Sequence, residues 1–113
     1  MEQPTPTYEK SDLKRVVARE FGTEAMDEVT SILESYGAES WQREPLRVSM
    51  ACLKLANGDI ARLKSFVQSA CKDYRDIIAW AEYSAYMRAH DPEAQQKAIE
   101  SDWKELQTWL HQA

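Results

Sequence analysis

Glycine, cysteine and histidine are all scarce in this chain of 113 residues, which has three, two and two of them. Three isolated glycines leave no glycine-rich phosphate loop, and the two histidines, His90 and His111, belong to no HExxH or HxxxH arrangement. The longest apolar run, Ile77 to Ala81, is far shorter than the roughly 20 residues that cross a bilayer. Nucleotide-loop enzymes, helical zinc hydrolases and membrane-spanning proteins are therefore disfavoured, and no cofactor is predicted.

The two cysteines, Cys52 and Cys71, both lie among apolar neighbours on predicted helices. This setting predicts two buried free thiols rather than a disulfide, because a buried cysteine behaves as a small apolar residue. No basic and apolar leader opens the chain, so no secretory signal is predicted. We expect a cytoplasmic protein with no membrane partner.

Apolar residues make up 43% of the chain, enough for one packed domain of this length. The formal charge of −5 is unevenly spread. Residues 1–40 carry four basic and nine acidic side chains, residues 41–90 carry eight and five, and residues 91–113 carry two and five. The resulting net charges of −5, +3 and −3 give no general attraction for phosphate backbones or anionic lipid.

Hydrophobic spacing predicts an all-α fold, a compact bundle of four to five helices in a single domain over residues 11–113, after a flexible tail over residues 1–10. Gly22 either breaks or kinks the first helical segment. The helix that starts at Pro45 is apolar all round and is predicted to be central. No stretch alternates as a strand does. Three aspartates are predicted to cap the helices that follow them, namely Asp59, Asp73 and Asp91.

The last predicted helix carries a seam of apolar residues at 4-3-4 spacing, Ile99, Trp103, Leu106 and Leu110. This seam can pack on another helix of the same chain. If Trp103 and Trp109 both face outward, it instead favours a homodimer through the C-terminal helix.

Acidic pairs occur at Glu24 and Asp27 and at Asp73 and Asp76. Such pairs can bind magnesium when they lie in helix interiors, which permits a metal-assisted hydrolase as an alternative function. Here both pairs lie at predicted helix starts, where capping and the helix dipole already explain acidic residues. No catalytic or metal-binding residue is assigned, and the sequence leans against an enzyme.

The Asn57-Gly58-Asp59 corner could belong to a helix-turn-helix, with basic residues from Arg62 to Lys72 facing DNA. With Gly58 in the turn, however, Lys54 and Lys64 occupy positions where that motif packs apolar side chains. Nucleic-acid binding through the basic middle segment is therefore only an alternative.

Polar and aromatic residues crowd the corner that follows Lys72. Arg75 lies in a first helical turn, where a positive charge is unfavourable, so we expect a carboxylate on a neighbouring helix to hold it. The helix is either packed on two sides, with its aromatic residues at the rim, or it exposes an aromatic protein-binding patch. The candidate protein-binding residues are Tyr74, Arg75, Trp80, Glu82 and Tyr83.

Three segments together resemble a family of small, uncharacterised bacterial proteins. They are LANGDI at residues 55–60, DYRDII at 73–78 and AEY at 81–83, and the resemblance covers about residues 24–86. It implies a bacterial source and a helical fold, and it transfers no activity or site residue. With no catalytic set found, the sequence predicts a non-catalytic protein-interaction or accessory domain whose partner is a protein.

Overall fold

Helices make up 80% of the computed structural model, which describes residues 5–37 and 44–112. Those residues contain no strand, and the all-α single-domain bundle predicted from the sequence is confirmed. The described residues form seven α-helices, more than the four to five predicted, and one 3₁₀ turn: α1 (Lys10–Phe21), the turn (Thr23–Ala25), α2 (Met26–Glu34), α3 (Pro45–Ala56), α4 (Ile60–Lys72), α5 (Tyr74–Glu82), α6 (Ser84–Arg88) and α7 (Pro92–Leu110).

The predicted tail over residues 1–10 falls partly outside the described residues and stays a prediction. Within the described part, Pro6 is buried and Tyr8 packs against the core. Helix α1 begins at Lys10, where Asp12 Oδ2 accepts a hydrogen bond from the Glu9 backbone N–H at 3.0 Å. The chain therefore contacts the bundle before its first helix begins.

Helix α3 lies at the centre, in contact with α1, α4 and α5. Its side chains Val48, Met50, Cys52 and Leu53 are no more than 1% exposed. Burying one such apolar side chain stabilises the fold by about 1.5–3 kcal/mol. The central position predicted from its nearly all-apolar sequence is confirmed.

Two glycines turn the chain where α1 and α3 end. Gly22 has φ +85°, a value that residues with a side chain rarely adopt, so α1 stops at Phe21 rather than kinking into α2. Gly58 has φ +81°, and a Cβ built there would lie 3.1 Å from the Glu20 carbonyl oxygen. The corner between α3 and α4 is thus packed closely against the last turn of α1.

The three predicted aspartate caps are confirmed. The side chains of Asp59, Asp73 and Asp91 each accept a backbone N–H from the first turn of α4, α5 and α7, at 3.1, 3.0 and 2.8 Å. These contacts satisfy amides that have no partner inside the helix. The helix starts were predictable because a cap and its amide lie within three residues.

The helix predicted from Asp73 is divided in two, because the backbone leaves helical geometry at Tyr83, with φ −130° and ψ 26°. Helix α6 then starts without a cap from its own sequence. Asp102 of α7 supplies it, since Oδ1 accepts from the Ala85 N–H and Oδ2 from the Tyr86 N–H, each at 3.0 Å. Asp102 is only 6% exposed, so a buried carboxylate joins α7 to α6.

The C-terminal part of α7 packs on α1 and the core. Leu106 and Leu110 are buried, and Trp109 packs against the core cluster with its Nε1 donating to Glu20 Oε1 at 3.1 Å. The Arg19 guanidinium lies 5.3 Å from the centre of the Trp109 ring. Trp109 therefore does not face outward, and the condition on which a dimer through α7 was predicted is not met.

The two cysteines are free, as predicted, but only Cys52 is buried. Cys71 is half-buried, with its Sγ 3.7 Å from the Ser35 carbonyl oxygen. Burial raises the pKa of the Cys52 thiol to about 12, and the nearby Cys71 adds to the shift. The prediction of two buried thiols is wrong for Cys71, because α4 packs that residue near the surface.

This difference predicts selective labelling of the native protein by a disulfide reagent at pH 8. Cys71 should react first, and Cys52 should react only after unfolding, because its thiolate is both buried and disfavoured at that pH. Counting the thiols that react before and after denaturant is added measures this selectivity. A Cys71→Ser variant should contain no fast-reacting thiol. Equal reaction rates of the two cysteines in the native wild-type chain would contradict the prediction.

Candidate functional site

The five residues predicted to bind a protein lie on or next to α5, and they differ widely in exposure. Arg75 is mostly exposed, with 78% of its side chain accessible, and Trp80 is 44% exposed. Tyr74 and Tyr83 are half-buried and pack against the core cluster. Glu82 is 4% exposed. The corner therefore has an outer part, with Arg75 and Trp80, and an inner part around Glu82.

Arg75 is held by the residue that caps its own helix. Its Nε donates to Asp73 Oδ1 and its Nη2 to Asp73 Oδ2, both at 3.0 Å. The hydrogen bonds to Arg75 lower the pKa of the Asp73 carboxyl, and the same contact raises the pKa of Arg75. The expectation of a carboxylate from a neighbouring helix is wrong, because the cap at the corner is within reach of the guanidinium.

Glu82 is paired with Arg47, in the first turn of α3. Arg47 Nε donates to Glu82 Oε2 at 2.9 Å, and Arg47 Nη2 donates to Glu82 Oε1 at 2.6 Å. The Arg47 side chain is 15% exposed and that of Glu82 is 2% exposed. Two parallel hydrogen bonds between a guanidinium and a carboxylate give strong, oriented pairing. This buried ion pair fixes the end of α5 to the start of α3.

Further polar groups surround the ion pair. Arg47 Nη2 also donates to the Tyr83 hydroxyl at 3.0 Å, and Nη1 donates to Glu44 Oε1 at 3.3 Å. Burial raises the pKa of the Tyr83 hydroxyl, and the Glu82 charge adds to the rise. Burial also raises the pKa of the Tyr8 hydroxyl, again with a contribution from Glu82. Both tyrosines therefore stay neutral around the pair, and this inner part has the features of a structural anchor.

Trp80 and Met87 are the large apolar side chains that the described residues leave exposed, at 44% and 53%. Trp80 lies on α5 and Met87 on α6, on either side of the break at Tyr83. The charged residues Asp76 of α5 and Arg88 of α6 are exposed as well. We call these four exposed residues, Trp80, Met87, Asp76 and Arg88, the α5–α6 face.

The carboxylate pairs considered for metal binding lie at helix starts. Glu24 and Asp27 are exposed, Asp73 caps α5, and Asp76 is exposed in the first turn of α5. Within residues 5–37 and 44–112, no three His, Cys, Asp or Glu side chains are grouped so that they could hold a metal ion. Capping accounts for Asp73, and the hydrolase alternative gains no support from the geometry.

The basic residues considered for nucleic-acid binding lie on α4. Lys64 and Lys72 are exposed, whereas Arg62 donates from Nη2 to the Leu55 carbonyl oxygen at 3.1 Å. Arg62 thus holds the corner between α3 and α4 together. Lys64 and Lys72 alone make a weak electrostatic footprint for a phosphate backbone.

Comparison of the chain with protein-family models, with curated proteins and with solved structures gives no match. The resemblance over residues 24–86 therefore stays a prediction. Among the helices of the described ranges, none combines the length and the apolar character needed to cross a membrane.

Proposed function

We propose that this chain is a non-catalytic protein-interaction domain that binds a protein partner through the α5–α6 face. The exposure of Trp80 and Met87 carries the proposal. Aromatic residues and methionine are enriched in protein interfaces, and a few such side chains often supply most of the binding free energy. Because about half of each side chain is already buried, covering the remainder of either one on a partner is worth about 1–1.5 kcal/mol.

The opposite side of α5 supports the same function, because it fills the core without help from Trp80. Ile77, Ile78 and Ala81 are at most 7% exposed and belong to the core cluster. Helix α5 therefore has a separate inner side that stabilises the fold and an outer side that is free to bind. Substitutions on the outer side should leave the fold intact.

We propose a revised membership for this binding surface. Trp80 and Met87 form its centre, whereas Tyr74 and Arg75, at the start of α5, are outside the α5–α6 face. Glu82 and Tyr83 act from beneath, because their contacts with Arg47 anchor the break between α5 and α6. The proposal therefore gives Glu82 and Tyr83 a positioning role.

The test is capture of partners by the wild-type chain and by a Trp80→Ala, Met87→Ala double variant. Because Trp80 and Met87 together are expected to contribute about 2 kcal/mol or more, affinity for a genuine partner should fall by about 30-fold or more. Gln68→Ala, at an exposed α4 position, is a matched control for the truncation of Met87. Melting temperatures of all three chains should agree within a few degrees.

Two outcomes would contradict the proposal. Equal recovery of every captured protein by the double variant and by the wild-type chain would show that the α5–α6 face binds none of them. A large fall in the melting temperature of the double variant would show that Trp80 and Met87 stabilise the fold instead. Proteins lost from both the double variant and Gln68→Ala do not count as partners of this face.

We also infer a bacterial source and a cytoplasmic location for the protein. The two unpaired thiols support a reducing compartment, and the resemblance of residues 24–86 supports the source. The nucleic-acid and hydrolase alternatives stay predictions without a specific observation in their favour.

A further inference from the structure

An apolar groove of about 420 Å³ lies between α1, α2 and α3, away from the α5–α6 face. Buried side chains form its floor, and half-buried ones form its walls. A concave site of this size, with mostly apolar lining, is typical of sites for small molecules. The floor consists of Val17, Leu33 and Tyr36, and the walls of Leu13, Met26 and Leu46.

Charged residues are found only at the rim of this groove. Lys10 and Lys14 lie one helical turn apart on α1, and both are exposed. Glu34 lies on the α2 side. Within residues 5–37 and 44–112, neither lysine forms an ion pair. The groove thus joins an apolar interior to two unpaired ammonium groups on one edge.

We propose that the groove binds a small amphiphile with one unbranched aliphatic chain and one carboxylate, of the chemical class of medium-chain fatty acids. The aliphatic chain lies on the apolar floor, and the complex is stabilised because apolar surface of both is removed from water. The carboxylate lies at the α1 edge, near Lys10 and Lys14, because Glu34 repels it from the α2 edge. A concave groove suits such a ligand better than it suits the surface of a partner protein. The α5–α6 face is the more suitable site for a protein.

Calorimetric titration with octanoate, decanoate and dodecanoate, all below their micelle concentrations, tests the apolar part. The dissociation constant should fall by about fourfold for each added methylene until the groove is filled. Decanol, which has the same chain without the charge, should bind more weakly than decanoate. No binding of any of these ligands at millimolar concentration would overturn the proposal.

A Lys10→Gln, Lys14→Gln variant tests the charged edge. Because both ammonium groups are exposed, its affinity for decanoate should fall by about twofold to fivefold, while its affinity for decanol stays the same. Lys64→Gln, an exposed lysine of α4, is the matched control and should bind both ligands like the wild-type chain. Equal weakening for decanoate and decanol would overturn the assignment of the carboxylate.

A blocking variant tests the location. Thr30 lines the groove from an exposed position of α2, so Thr30→Trp should fill the groove without disturbing the core and should abolish binding. Unchanged decanoate affinity in a folded Thr30→Trp chain would place the ligand elsewhere and overturn the proposal. It would also be overturned if sedimentation showed a dimer of the wild-type chain that Thr30→Trp abolishes, because a second copy would then occupy the groove.

Discussion

Replacing Arg47 by alanine is expected to lower the free energy of unfolding by about 3–5 kcal/mol, because it leaves the buried Glu82 carboxylate without its cation. Three hydrogen bonds between the two side chains are lost, at 2.6, 2.9 and 3.2 Å. The Tyr83 hydroxyl loses its donor as well. Urea unfolding followed by circular dichroism measures the change.

Removing both charges together should cost much less than removing one. A chain with Arg47→Met and Glu82→Leu has no buried charge to desolvate, and apolar side chains of similar size can replace an ion pair without net loss. We expect this double variant to be clearly more stable than Arg47→Ala.

Arg75→Ala, which breaks the exposed pair with Asp73, is the control and should unfold like the wild-type chain. If Arg47→Ala also unfolds like the wild-type chain, the Arg47–Glu82 pair does not anchor α5 to α3.

The parts of the fold that the sequence predicted well are those in which cause and effect are close along the chain. Asp59, Asp73 and Asp91 each cap a helix whose amides lie two or three residues away. The central position of α3 follows from apolar residues on all its sides. Composition and local chemistry are sufficient for both conclusions.

The ion pair of the inner site was harder to predict, since Arg47 and Glu82 are 35 residues apart. A signal was nevertheless present. Arg47 lies in the first turn of its helix and Glu82 in the last turn of its own, so each charge is at the unfavourable end of a helix dipole. Two such charges of opposite sign, on helices that both pack in the core, are expected to compensate each other.

The break between α5 and α6 had no local signal, because neither glycine nor proline lies near Tyr83. The contact that stabilises it comes from α7, whose Asp102 accepts hydrogen bonds from the free amides at the start of α6. A cap from a distant helix cannot be found from spacing within α6, and the apolar stripe from Trp80 to Met87 continues across the break. The position of Met87 relative to Trp80 therefore depends on tertiary structure.

Asp102→Ala is accordingly expected to lower the free energy of unfolding by about 2–4 kcal/mol. The carboxylate makes two hydrogen bonds to helix-start amides in a buried position, and losing a charged partner of this kind costs more than losing an exposed cap. Hydrogen exchange at the Ala85 and Tyr86 amides should accelerate, as these would have lost their acceptor. Asp102→Asn keeps one acceptor oxygen, so its free energy of unfolding should lie between those of the wild-type chain and Asp102→Ala.

The comparison that isolates this effect is Asp91→Ala, which removes an exposed aspartate cap from α7 and should cost only about 1 kcal/mol. If the α5–α6 face binds a protein, Asp102→Ala should also weaken capture although both Trp80 and Met87 are still present, because α6 is then no longer held in place. Asp91→Ala should leave capture unchanged. Normal exchange at the Ala85 and Tyr86 amides in Asp102→Ala would show that α6 is held by its other contacts with α7, and α7 would then have no special role in positioning Met87.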